Sequence, residues 1–130
     1  DEEPAAEYVI LYVEDNPASL ELMEMIVEGV PGLKLISART AEEGLELARR
    51  HTPKLVVLDI NLPGLDGYEA LRCLRDCDRT RNIPVVALSA SAMVGDVENG
   101  QAAGFAKYLT KPVEVDDLLT TIKEFLGEGS

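Results

Sequence analysis

The chain has 130 residues, of which 46% are hydrophobic and 28% charged, and this size and balance fit one globular domain. Its 24 acidic and 12 basic side chains give a net charge of −12, so its surface repels nucleic-acid phosphates and anionic lipid. We therefore expect no direct binding of nucleic acid and no membrane contact by this segment.

The chain lacks two targeting signals. No apolar stretch approaches the roughly 20 residues of a membrane span, and the N-terminus lacks the basic-then-apolar pattern of a secretion signal. The two cysteines, Cys73 and Cys77, do not resemble a disulfide framework and are predicted to be reduced residues of one helix. We predict a cytoplasmic protein, and a start without Met predicts a piece or a processed form of a longer chain.

The first predicted elements follow a short acidic segment. Residues 1–7 contain four acids and are predicted to be a leader or linker. The apolar and β-branched run Tyr8–Val13 predicts a strand. Asn16 and Pro17 then supply an N-cap and a first helical residue, and the helix is expected to stop near Pro31-Gly32. Its predicted apolar face consists of Leu22, Met23, Ile26, Val27 and Val30.

The middle of the chain repeats this pattern. Lys34–Ala38 predicts a second strand, and the capping box from Thr40 to Glu43 begins a second helix. Leu55–Leu58 predicts a third strand. Asp66 is predicted to cap a third helix, and Pro84–Leu88 predicts a fourth strand.

The last third of the chain predicts two more helices. The stretch 93–104 has helical character but contains interior glycines, so a fourth helix there is expected to be marginally stable. Lys107–Thr110 predicts a fifth strand. A fifth helix follows, with an apolar stripe formed by Val115, Leu118, Leu119, Ile122 and Leu126, and residues 127–130 are a predicted tail.

The alternation of strands and helices predicts an α/β fold. Because the strand runs do not alternate with polar residues, they are expected to be buried on both faces, as in a parallel sheet. Length and element count favour a flavodoxin-like doubly wound sheet of five strands, in the order 2-1-3-4-5, with five helices over residues 8–126. In such folds the working site lies beyond the carboxyl ends of the strands.

Polar residues follow the predicted strands at that edge. Glu14 and Asp15 follow the first strand, Asp59 the third, Ser89 the fourth and Lys111 the fifth. Two carboxylates about 4 Å apart repel by roughly 4 kcal/mol at an effective dielectric constant of 20, so the cluster needs cations. Lys111 supplies one positive charge, and Mg²⁺ or Mn²⁺ is predicted to supply the rest.

Asp59 is the best-placed nucleophile for phosphoryl transfer. It follows a fully apolar strand, and the polar, turn-rich residues 61–67 after it leave it uncovered. A carboxylate beside Mg²⁺ and Lys can attack phosphorus, because these cations offset the charge of the nucleophile and of the incoming group.

Four motifs together resemble the receiver domains of two-component response regulators. They are Tyr12–Asn16, Leu58–Gly67, Ala87–Ala90 and Tyr108–Pro112, in the order and at the spacings of that family. The resemblance covers nearly everything from residue 8 to residue 126.

The resemblance implies roles for the acids. Asp59 would accept a phosphoryl group from the phosphohistidine of a histidine kinase or a histidine phosphotransfer domain. Asp15, Asp59 and the backbone carbonyl of Asn61 would bind Mg²⁺ directly, and Glu14 would act mainly through water.

The resemblance also implies a switch and an output surface. Lys111 would pair with the phosphoryl group, Ser89 would hydrogen-bond it, and Tyr108 would turn inward as the switch aromatic. We expect the face of helix 4, strand 5 and helix 5 to change on phosphorylation and to offer a homodimer surface. The residues of the motifs look most like those in receivers of hybrid sensor histidine kinases, and a stand-alone regulator is the alternative.

Two rival functions remain open on the residues alone. A phosphatase of the haloacid dehalogenase type also uses a strand-end Asp, but it needs a second Asp where this chain has Asn61. A flavodoxin-like nucleotide binder would need a Gly, Ser or Thr loop where this chain has Glu14-Asp15. We predict a phosphoacceptor module that helps catalyse its own phosphorylation and hydrolysis rather than a turnover enzyme.

Other polar residues are predicted to be structural. His51 lies near a helix end, where a cation is favoured. The basic patch is predicted to be a solvated face rather than an anion site, and it consists of Arg72, Arg75, Arg79 and Arg81.

Overall fold

A computed structural model of the chain describes residues 8–30, 32–60, 67–89, 104–110 and 114–126. The strands are β1 (Tyr8–Val13), β2 (Leu33–Ala38), β3 (Leu55–Asp59), β4 (Val85–Ser89) and β5 (Lys107–Thr110). The helices are α1 (Pro17–Glu28), α2 (Ala41–His51), α3 (Gly67–Asp76) and the C-terminal helix α4 (Val115–Leu126). The leader 1–7, the tail 127–130 and residues 93–103 of the predicted fourth helix lie outside the described residues.

The five strands form one parallel sheet in the order β2-β1-β3-β4-β5, so the predicted flavodoxin-like topology is confirmed. Every residue of β3 and β4 is buried, as expected for strands covered on both faces. The edge strands β2 and β5 are more exposed. Because successive side chains of a strand point to opposite faces of the sheet, Leu11 and Tyr12 of β1 pack in different core layers.

Among the described residues, two helices pack on each face of the sheet. Buried residues of α2 and α3 pack with one set of strand side chains, and those of α1 and α4 pack with the other set. None of the described helices is long and apolar enough to cross a membrane.

Local capping explains where α1 and α2 begin. The Asn16 side chain accepts hydrogen bonds from the backbone N–H groups of Ala18 and Ser19, at 2.8 and 3.3 Å, which satisfies donors that the first turn leaves without partners. At α2, Thr40 Oγ1 accepts from the N–H of Glu43 at 3.1 Å. Both predicted caps are therefore present.

The structure corrects three details of the predicted helices. Helix α1 ends at Glu28, before the expected stop at Pro31-Gly32, because Gly29 already caps it with a backbone N–H to the carbonyl of Ile26. The sequence places Leu22 and Val115 on the apolar stripes of α1 and α4, but both are exposed because a groove between these helices leaves them uncovered. Cys77 lies in the turn after α3 rather than on that helix, and both cysteines are free.

A close approach between Gly67 and Ile60 positions the start of α3 beside the end of β3. A Cβ atom on Gly67 would lie 2.7 Å from the Cβ and 2.8 Å from the Cα of Ile60. Because the second of these atoms belongs to the backbone, a side chain at position 67 would displace the chain directly after Asp59. Glycine therefore allows the helix to pack against the residue that follows the strand.

We expect Gly67→Ala to lower the free energy of unfolding by about 1 to 3 kcal/mol, because the added methyl group overpacks this contact. The matched control is Gly29→Ala, where the new Cβ would meet its nearest atom, the Ile26 carbonyl oxygen, at an ordinary 3.5 Å. Chemical denaturation of both variants checks this. Equal effects of the two substitutions would contradict the tight contact at Gly67.

Candidate functional site

The register of β1 and β3 brings two acids together at the carboxyl edge of the sheet. Val13 pairs with Leu58, so the next residues along the two strands, Glu14 and Asp59, are neighbours. On the other side of β1, the pairing with β2 continues past Val13, because the backbone N–H of Glu14 donates to the carbonyl of Ala38 at 2.9 Å. The sheet itself therefore determines how close these side chains lie.

Glu14, Asp15 and Asp59 form a compact acidic cluster. Each offers one carboxylate oxygen, and these three oxygens all lie within 4.8 Å of one another. Glu14 is 1% exposed and Asp59 is 4% exposed, whereas Asp15 is exposed to solvent. The cluster is consequently buried on one side and open on the other, where a ligand can enter.

Glu14 is held by hydrogen bonds from its own segment of chain. The Tyr12 hydroxyl donates to Oε1 of Glu14 at 3.1 Å, and the backbone N–H of Asn16 donates to Oε2 at 3.2 Å. Burial raises the pKa of Tyr12 well above its ordinary value, and the charges of Glu14 and Asp59 raise it further. The phenol therefore keeps its proton at neutral pH and remains a hydrogen-bond donor.

The donor set fits a hard divalent cation. Three carboxylates that lie this close repel one another, and the two buried ones are screened by water less than exposed acids are. Carboxylate oxygens are the ligands that Mg²⁺ and Mn²⁺ prefer, and Mg²⁺ commonly binds one or two of them while it keeps several waters. Asp15 faces solvent, which leaves room for those waters.

The other predicted site residues lie at the same edge or outside the described residues. Ser89 ends β4 and is buried, and Tyr108 lies half-buried on β5, where it pairs with Ala87. Lys111 and Asn61 lie outside the described residues, as does Asp66.

The predicted basic patch includes structural residues. Arg75 is half-buried and donates to the backbone carbonyls of Arg81 and Ile83 at 3.0 and 2.8 Å. Arg81 in turn forms an ion pair with Asp78 at 2.8 Å. Arg75 therefore fixes the chain between α3 and β4, whereas Arg72, Arg79 and Arg81 are exposed. His51 is an exposed residue at the last turn of α2, consistent with a favourable position for a cation.

Two features on the face of the sheet covered by α1 and α4 were not predicted from the sequence. One is the hydrogen bond from Tyr12 to Glu14, which the period of two along a strand could have suggested. The other is a groove of about 310 Å³ between α1 and α4. Among the described residues, the exposed large apolar side chains are Leu22, Met25 and Val115, and all three line this groove.

Comparison with known proteins identifies the family. The family model described as "response regulator receiver domain" matches residues 10–123. The polar-differentiation response regulator DivK of Brucella anthropi is 40% identical over 120 residues, which cover 92% of this chain and 97% of that protein.

Solved structures agree with this match. The receiver domain of a sensor histidine kinase from Pseudomonas aeruginosa, with a magnesium ion coordinated in its active-site cleft, is 33% identical with a TM-score of 0.83 and covers 94% of this chain and 99% of that one. A chemotaxis response regulator of Vibrio cholerae, CheY4, is 21% identical with a TM-score of 0.85, covers 92% of this chain and 99% of that one, and supports the fold. The chain belongs to the family of response regulator receiver domains of two-component systems, as the motifs predicted.

Proposed function

We propose that this receiver domain is a phosphoacceptor switch in which Asp59 takes a phosphoryl group from the phosphohistidine of a histidine kinase or a histidine phosphotransfer domain. The observation that carries this proposal is the convergence of Glu14, Asp15 and Asp59 at one edge of the sheet. The family match supports it, because receiver domains are signalling modules of two-component systems.

The proposed metal ligands are Asp15, Asp59 and the backbone carbonyl of Asn61, with Glu14 acting mainly through water. When bound, Mg²⁺ or Mn²⁺ supplies positive charge that offsets the charge of the carboxylates and of the phosphoryl oxygens. The magnesium ion in the related Pseudomonas receiver supports this choice of metal. Asp15 is exposed, which suits an entry side for a hydrated ion.

The proposed chemical step transfers phosphorus from nitrogen to oxygen. A carboxylate oxygen of Asp59 forms a new P–O bond while the P–N bond to the donor imidazole breaks, and the bonding electron pair stays on the ring nitrogen. The other ring nitrogen of the phosphohistidine carries a proton, so the leaving group is a neutral imidazole and the products are an aspartyl phosphate and a neutral histidine. Lys111 would pair with the phosphoryl oxygens, and water would later hydrolyse the aspartyl phosphate.

We infer a switch that runs from the phosphorylated site to β5. Ser89 is buried at the end of β4, which is the neighbour of β3 in the sheet, so its hydroxyl is suited to donate to a phosphoryl oxygen on Asp59. Tyr108 is half-buried on the next strand and would turn inward behind it. The output face would then comprise the predicted fourth helix (residues 93–104), β5 and the C-terminal helix α4, which is the predicted fifth helix, and this face would also serve as a homodimer surface.

The groove between α1 and α4 supports a docking surface for the phosphodonor. Helix α1 begins two residues after Asp15 and carries residues that line the groove, so one helix connects the acidic cluster with the groove. Its apolar residues include Met25, which is 68% exposed. Their neighbours in sequence are exposed acids, namely Glu21, Glu24, Glu28, Glu114, Asp116 and Asp117.

This combination of an apolar floor and acidic neighbours fits one kind of partner. A donor helix with an apolar face and flanking Lys or Arg side chains would fill the groove and neutralise its surroundings. A second copy of this chain would instead bring like charges together. We therefore propose a helix of the phosphodonor as the occupant.

Relatives of this chain occur in both of the proposed parent contexts. DivK is matched over 97% of its length, as a stand-alone regulator would be, and the Pseudomonas relative is the receiver of a sensor histidine kinase. The proposed chemistry at Asp59 is the same in either context.

Asp59→Asn is expected to abolish phosphorylation, because the amide is a poor nucleophile for phosphorus. Intact-mass analysis after incubation with acetyl phosphate and Mg²⁺ measures this, and the parent chain should gain one phosphoryl group. The control Asp76→Asn, at the exposed end of α3, should be phosphorylated like the parent. A phosphoryl group on the Asp59→Asn variant would show that the acceptor lies elsewhere.

Asp15→Asn is expected to raise the free energy of unfolding by roughly 1 kcal/mol without metal, because it removes a repelling charge near water. In saturating Mg²⁺ the parent should gain stability and the variant should gain less. Glu21→Gln makes the same change of charge at an exposed residue of α1. It should leave unchanged both the free energy of unfolding without metal and the stability gained in Mg²⁺. Thermal unfolding with EDTA or Mg²⁺ checks this, and an equal gain in all three chains would refute the metal role of Asp15.

Met25→Glu is expected to slow phosphorylation by a histidine kinase at least tenfold without slowing phosphorylation by acetyl phosphate, because only the protein donor uses the groove. The measurement is the initial rate with any purified kinase that phosphorylates the parent chain. Asn82→Glu adds the same charge before β4, at the opposite edge of the sheet, and should leave both rates unchanged. Equal rates for parent and Met25→Glu with the kinase would exclude this docking surface.

A further inference from the structure

The side chain of Tyr12 connects the core layer under α1 and α4 with the acidic cluster. Tyr12 and Glu14 are two residues apart, so their side chains leave β1 on the same face. Tyr12 is only 4% exposed and packs in the core layer covered by α1 and α4. Its ring is therefore fixed by packing, and its hydroxyl reaches Oε1 of Glu14 at 3.1 Å.

The Glu14 carboxylate has a donor on each of its two oxygens. The second donor is the backbone N–H of Asn16, at 3.2 Å from Oε2. Asn16 is also the N-cap of α1, so this contact ties the carboxylate to the start of the helix. A carboxylate held at both oxygens and 1% exposed cannot rotate freely.

We propose that Tyr12 is a positioning residue whose hydroxyl fixes the Glu14 carboxylate in the orientation that the acidic cluster needs to bind Mg²⁺. This inference rests on the proposed metal role of the cluster. Tyr12 touches neither the metal nor the phosphoryl group and acts only through Glu14. It therefore sets how tightly, and with what ion preference, the site binds a cation.

The choice of ion follows from coordination geometry. Mg²⁺ demands a nearly ideal octahedron at short distances, whereas Ca²⁺ accepts a flexible arrangement of more ligands. Without the Tyr12 hydroxyl, the Glu14 carboxylate would orient a metal-bound water less precisely, which disturbs the strict octahedron of Mg²⁺ more than the flexible coordination of Ca²⁺. Loss of the Tyr12 hydroxyl should consequently weaken Mg²⁺ binding more than Ca²⁺ binding.

The decisive variant is Tyr12→Phe, which keeps the packed ring and removes only the hydroxyl. Hydrogen-bond partners of direct metal ligands typically contribute 10-fold to 100-fold in affinity. Because Glu14 acts mainly through water, we expect a loss at the lower end of this range, about 10-fold for Mg²⁺, and a smaller loss for Ca²⁺. Isothermal titration calorimetry with each ion measures both constants. Unchanged Mg²⁺ affinity, or equal losses for the two ions, would overturn the proposal.

Tyr8→Phe is the matched control, because Tyr8 lies on the same face of β1 and packs against the same core layer. It should leave both affinities unchanged.

A double-mutant cycle separates positioning from a general structural effect. If Tyr12 acts through Glu14, then Tyr12→Phe should alter Mg²⁺ affinity less than twofold in a Glu14→Gln background. A full additional loss in that background would overturn the inference. Such a result would leave the proposed function intact, because phosphorylation of the parent chain at Asp59 by acetyl phosphate tests that function separately.

Discussion

Electrostatic repulsion among three carboxylates is the constraint on which the site depends. The parallel register of β1 and β3 makes Glu14 and Asp59 neighbours, and Asp15 joins them within 4.8 Å. Moving the backbones of Glu14 and Asp59 apart would require breaking the pairing of two central strands. A bound cation offsets the repulsion while the sheet stays intact, which links the stability of the fold to the proposed chemistry.

Several contacts around the cluster hold its buried acids in place. Tyr12 and Asn16 hold the two oxygens of Glu14, and the close packing of Gly67 against Ile60 positions the chain directly after Asp59. In each contact, a residue of the core or of a helix start touches one of the acids or the residue next to it. Glu14 and Asp59 are therefore held by contacts with the core and with helix starts, while the open side of the cluster faces solvent through Asp15.

Much of this arrangement could be predicted from the sequence. Unbroken apolar runs predicted buried parallel strands, and the acids that follow two of them predicted a cluster at one edge, because parallel strands end together. The exposure of Leu22 and Val115 could not be predicted, since a helical stripe can be wider than the surface that covers it. The contact of Tyr12 with Glu14 also required the structure, because strand periodicity gives the face of a side chain but not the reach of its hydroxyl.

The central claim is that Glu14, Asp15 and Asp59 together bind one divalent cation. The most direct measurement is paramagnetic broadening of backbone amide NMR signals by substoichiometric Mn²⁺, reversed by excess Mg²⁺. We predict that broadening is strongest at the ends of β1 and β3, around residues 14–15 and 59–60, and fades along both strands away from that edge. Broadening centred on the exposed acids of α1 or α4, or a pattern that Mg²⁺ does not reverse, would contradict the account.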